Sequence, residues 1–86
     1  MTCRIDRVLI EQGEVLRISG RIQREDLDVL RKALEDGRVV ALDLTEVELA
    51  DRDAVTLLAR IESHGIELRH CPAYVREWVT RERGLS

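Results

Sequence analysis

The densest run of chemically capable side chains is Asp51-Arg52-Asp53, followed by Ala54-Val55-Thr56 and then by apolar residues at helical spacing. Two carboxylates flanking a guanidinium at the start of a helix have two kinds of work open to them. A carboxylate there can accept hydrogen bonds from the unpaired backbone N–H groups of the first turn, a cap worth about 0.5–2 kcal/mol and favoured by the helix dipole. The same charges can instead face outward and be read by a partner. Both readings stand for Asp51 and for Asp53. Thr56 lies inside the helix, where its hydroxyl is expected to bond back to a preceding carbonyl, and Thr45 upstream is expected to shape a connecting loop.

The other candidates are sparse. His64, His70, Cys3 and Cys71 are the soft metal-ligand types, and no pair of them has the spacing of a structural zinc site. Cys3 and Cys71, at opposite edges of a four-stranded sheet, would lie about 14 Å apart, beyond disulfide reach, so both are expected as free thiols. A nucleophilic Cys71 would need an adjacent base, and His70, its neighbour along a strand, would point to the other face. No Gly-rich loop precedes a helix to cradle phosphate. No catalysis, metal or cofactor is therefore expected. Tyr74 and Trp78 are the only aromatics, at i and i+4. Trp78 is expected to cap the core with Tyr74 at its rim; the other reading is a partner-docking face.

The frame for these residues comes from apolar periodicity. Ile5, Val8, Leu9 and Ile10 fall in a β-forming run from Arg4 to Gln12, Gly13 follows, and Val15, Leu16 and Ile18 resume before Gly20, which reads as a hairpin. Alternation sends Leu16 and Ile18 to one face and Val15, Arg17 and Ser19 to the other. Between Gln23 and Asp36, Leu27, Leu30 and Leu34 mark an amphipathic helix, with Glu25 and Asp26 in its first turn and Gly37 as its stop. Val39 to Leu44 is the near-continuous apolar run of a central strand, and Thr45 to Ala50 is expected to be a connection. Val55, Leu58, Ala59 and Ile61 define a second helix ended by Gly65. Ile66 to Arg69 is a short strand, and Cys71-Pro72 opens a last helix with Val75, Trp78 and Val79 as its stripe. Two strand–helix–strand crossovers stepping the same way put their helices on one face. The prediction is an α/β fold, ββαβαβα: a four-stranded mixed sheet in order 1-2-3-4, its first strand antiparallel at one edge, with three helices. Its expected core unites Leu16, Ile18, Leu30, Leu34, Leu42, Leu58 and Leu68.

Composition narrows the function class. Across 86 residues there is no Pro/Gly/Ser-rich break, which predicts a single domain over residues 1–86. Apolar residues at 44% are too many for a disordered chain. The formal charge is −3 with acids and bases interspersed, so no basic stripe exists and nucleic acid is not an expected partner. Thirteen of the fourteen basic residues are Arg, a bias of GC-rich coding that also favours bidentate carboxylate contacts. From Met1-Thr2-Cys3-Arg4 onward there is no signal-type apolar region and no apolar stretch near about 18 residues, which predicts a cytoplasmic protein without direct membrane insertion.

The segment Val40-Ala41-Leu42-Asp43-Leu44-Thr45, then Val47 and Leu49, then Asp51-Arg52-Asp53-Ala54-Val55, resembles the STAS, or anti-sigma-factor-antagonist, family. In that family a central strand with an aspartate near its end leads to Asp-Ser-Ser/Thr-Gly-Leu at a helix start. Gly20 before the first helix and Gly65-Ile66-Glu67-Leu68 after the second fit the same layout, so the resemblance spans Val15 to Val79. It implies a non-catalytic protein–protein interaction module of bacterial signalling and transcription regulation, whose partner would be an anti-sigma kinase or another ATPase. The alternative it implies is a subunit or scaffold of a larger assembly such as an ABC transporter complex. Family members release the partner when a hydroxyl in the helix-start motif is phosphorylated. Here Asp51 falls on the family's aspartate, Arg52 and Asp53 on the two hydroxyl positions, and Ala54 on the glycine. Asp53 would thus be a degenerate phosphoacceptor position, holding one fixed charge where a phosphoryl group brings about −1.5 to −2. Asp51, Arg52, Asp53 and Thr56 are the expected partner-binding residues; Thr45 and Thr56 are the nearest substitute acceptors. Partner identity and oligomeric state stay open.

Overall fold

The N-terminal apolar runs pair as a hairpin, β1 (Cys3–Ile10) antiparallel to β2 (Gly13–Ile22), in a computed structural model that describes residues 3–84. Met1 and Thr2, part of the expected leaderless start, lie outside the described residues. Glu11 and Gln12 make the turn, and Gly13 follows at φ +149°. Any Cβ at Gly13 would sit 2.4 Å from the Arg38 carbonyl oxygen, which accepts the Glu14 N–H at 2.9 Å. Only glycine lets β2 start this close to the chain entering β3.

A single 3-10 turn (Arg24–Asp26) leads into α1 (Leu27–Glu35), so the expected helix begins as a tighter turn. Asp26 is buried and its carboxylate accepts the Gln23 N–H at 3.0 Å, which accounts for an acid in the first turn. Then follow β3 (Val39–Ala50), α2 (Arg52–Ser63), β4 (Glu67–Arg69) and α3 (Ala73–Gly84). The sheet order is β1-β2-β3-β4, with β2, β3 and β4 parallel, as the sequence predicts.

The main departure is β3. Thr45 to Ala50, expected to be a connection, continues the strand until Ala50 stands opposite Ile22. Leu44, Val47 and Ala50 are all buried, and a spacing of three cannot keep residues on one face of a regular strand. Register shifts against β2, between Arg17 and Ser19 and between Gly20 and Arg21, take up the extra residues as bulges. Asp43 stabilises the first: its Oδ1 accepts both the Thr45 hydroxyl (2.6 Å) and the Thr45 N–H (3.0 Å). Thr45 therefore shapes a bulged strand, not a loop. The bond from the Thr45 hydroxyl is the main reason the Asp43 carboxyl is held below its ordinary pKa.

One buried cluster draws on every strand and every α-helix: Cys3, Leu16, Ile18, Leu42, Leu44 and Leu68 from the sheet meet Leu27, Leu30, Val55, Leu58, Val75 and Val79. Leu34 is only partly buried at its margin, a correction to the expected core. The other face of the sheet carries a charged row in register, Asp6, Arg17, Asp43 and Arg69, alternating in sign across all four strands. Gly65 (φ +93°) ends α2: its N–H donates to the Glu62 carbonyl (3.0 Å) and the Ile66 N–H reaches the Ile61 carbonyl (3.4 Å), a closure that needs the left-handed residue. Glu62 then joins α2 to α3, accepting two bonds from Arg76 (3.0 and 2.8 Å) and one from Arg83 (2.9 Å). Among the described residues no helix is long and apolar enough to cross a membrane.

Candidate functional site

Asp51 and Asp53 are two residues apart and do different work. β3 ends at Ala50, and Asp51, still extended at φ −79° and ψ 179°, turns the chain into α2. Its Oδ1 accepts the Ala54 N–H and its Oδ2 the Arg24 N–H, both at 2.9 Å. Its own N–H donates to the Ile22 carbonyl at 3.1 Å, and its carbonyl accepts the Val55 N–H at 2.9 Å. One half-buried carboxylate thus caps α2 and holds the chain where β2 passes into the 3-10 turn. Of the two readings open for Asp51, the cap is the one the geometry realises. Both carboxylate oxygens are engaged inside the chain.

Asp53 is not a cap, which corrects that reading of it. It is the second residue of α2, and its carboxylate meets the Arg24 Nε at 3.9 Å with side chains 58% and 84% exposed. Such a pair contributes about 0–1 kcal/mol. Arg52 is exposed and its guanidinium has no partner among the described residues. The Thr56 hydroxyl donates to the Arg52 carbonyl at 3.0 Å, the back-bond expected of a threonine inside a helix.

Arg52, Asp53, Thr56, Arg60 and Ser63 form the exposed ridge of α2, while Ala54, Val55, Leu58 and Ile61 face the core. A groove of about 500 Å3 runs along one flank of this ridge, with Leu27 and Leu57 as its floor and Arg24, Asp28, Arg31, Asp53, Thr56 and Arg60 on its walls. A second groove of about 350 Å3 on the other flank shares Thr56 and Arg60 and adds Ser63, Glu82 and Arg83. Asp53 and Thr56, picked out by sequence, are thereby brought together with Arg24, Arg31 and Arg60, which were not. The signal for Arg60 was its place four residues after Thr56; Arg24, on the 3-10 turn, and Arg31, on α1, carried none.

The remaining candidates stay apart. Cys3 is buried and Cys71 half-buried, on opposite edges of the sheet, and burial pushes both thiols up, leaving them protonated at neutral pH and poor nucleophiles. His70 follows β4 at φ +53° instead of lying within the strand, and it is exposed. Among the described residues no group of three or more His, Cys, Asp or Glu side chains is placed to hold a metal ion. Trp78, expected to cap the core, is exposed; Val75 and Val79 fill that stripe alone. The Tyr74 hydroxyl donates to the Glu48 carbonyl, tethering α3 to the bulged end of β3.

No family model matches the chain, and no curated protein matches it.

Proposed function

We propose that this chain is a STAS-like, non-catalytic protein-interaction module of regulation, and that it meets its partner through the α2 ridge at Arg52, Asp53 and Thr56. One observation carries the reading: structural and presentational work are divided at the β3–α2 junction. Asp51 takes the cap and the inter-element tie, so Arg52 and Asp53 extend from the frame with one loose, exposed pair, Asp53 to Arg24, as their only polar side-chain contact among the described residues. Residues of that kind are free to be read by a partner. The absence of a hydroxyl at Asp53 makes the surface constitutive: its charge is always present, so binding is not switched by phosphorylation there.

The experiment is to identify the partner by affinity capture from the native cell with mass spectrometry, then to titrate it against the intact chain, Asp53→Ser and Arg52→Ala. Both variants should leave thermal unfolding within about 1 kcal/mol of the parent. Partner affinity should shift in both. If affinity is unchanged in both, the ridge is removed from the binding surface and the exposed Tyr74 and Trp78 side chains become the place to look. In parallel, incubation with ATP and a cognate STAS kinase should leave the intact mass unchanged; a phosphoryl group mapped to Thr45 or Thr56 would restore a switch and overturn the constitutive reading.

A further inference from the structure

The charge of the groove between α1 and α2 runs against that of the molecule. The chain carries −3 overall, yet this groove gathers Arg24, Arg31 and Arg60 against only Asp28 and Asp53. Its two internal ion pairs are loose: Arg31 meets Asp28 at 3.4 Å and Arg24 meets Asp53 at 3.9 Å, all four side chains more than half exposed. The Arg60 guanidinium has no partner among the described residues. Weak, solvated pairs exchange readily for an incoming carboxylate, and a guanidinium offers a planar fork to it. Leu27 and Leu57 at its floor are both buried, so the surface the groove offers is chiefly its charged walls.

We propose that this groove receives an acidic segment of the partner protein, with its carboxylates on Arg24, Arg31 and Arg60. The inference rests on the α2 ridge being the binding surface and names the chemistry that the ridge selects. Asp53 is then an internal competitor: it occupies Arg24 and lowers the positive potential that an acidic segment would meet. Removing its charge strengthens binding.

The test uses the intact chain and a synthetic peptide of glutamate and leucine at helical spacing, with a counterpart carrying lysine for every glutamate. Amide chemical shifts followed during titration report both affinity and location. The glutamate peptide should move the amides of Leu27, Thr56, Leu57 and Arg60, and the lysine peptide should not. Arg31→Gln and Arg60→Gln should each weaken binding by about 2- to 5-fold, and Asp53→Asn should strengthen it by a similar factor, the scale of one exposed charge pair. Raising salt should shrink these differences. Spectra unchanged outside the groove establish that each variant is folded. Equal binding of the lysine peptide, shifts centred elsewhere, weaker binding by Asp53→Asn, or equally tight binding of tripolyphosphate would each overturn the proposal. A captured natural partner that responds to Arg52→Ala but ignores Arg31→Gln and Arg60→Gln would overturn the groove assignment while sparing the ridge.

Discussion

Replacing Asp51 by alanine isolates the carboxylate that ties the exit of β2 to the start of α2. The substitution deletes the acceptor of the Ala54 N–H, a cap worth about 0.5–2 kcal/mol, and the acceptor of the Arg24 N–H, a charge-assisted bond worth about 1 kcal/mol more after allowance for partial exposure. The two bonds join different elements, so their loss should add to about 1.5–3 kcal/mol. For a domain of this length that lowers the Tm by about 6–24 °C. Asp51→Asn keeps one acceptor oxygen but turns an amide donor toward the other N–H, and should cost about 1–2 kcal/mol. Asp53→Ala, which removes a 3.9 Å exposed pair and a first-turn charge favoured by the helix dipole, should cost no more than about 1 kcal/mol. Urea titration followed by circular dichroism gives all three values on one scale, and an unchanged m-value confirms that the same transition is being compared. If Asp51→Ala falls within about 0.5 kcal/mol of the parent, or if Asp53→Ala costs as much, the division of labour at this junction is wrong, and with it the argument that Asp53 is free for a partner.

Two further outcomes test the frame. Leu42, fully buried in the middle of β3, should lose about 2–5 kcal/mol on change to alanine in the same urea assay, and a loss below about 0.5 kcal/mol would contradict its central place. The bonds from Arg76 are the main reason Glu62 is held below its ordinary pKa, so the stability it contributes is complete at neutral pH and is lost as pH falls through the lowered folded value. Parent and Glu62→Gln should therefore differ by about 1–2 kcal/mol near pH 7 and converge once the pH has fallen below that lowered value; a gap that stays constant down to strongly acidic pH would refute the clamp.

The order of elements was readable because each reported itself locally: Leu27, Leu30 and Leu34 at helical spacing, Leu16 and Ile18 alternating, Val39 to Leu44 unbroken. If two right-handed crossovers after a hairpin step the same way, their helices share one face and the order is 1-2-3-4, which is what the sheet adopts. The end of β3 was not readable, because its bulges place Leu44, Val47 and Ala50 three apart and erase the period of two that identifies a strand. Nor could sequence divide the labour between Asp51 and Asp53. Two carboxylates beside the same helix start are equivalent in pattern, and only the approach of the Arg24 N–H from β2's far end selects Asp51. Trp78 was assigned to the core on its type and spacing, yet a helix of this width offers the core only Val75 and Val79. The groove is tertiary in origin: Arg24 lies on the 3-10 turn, Arg31 on α1 and Arg60 on α2, and a field built from charges distant in the chain exists only when these elements pack side by side.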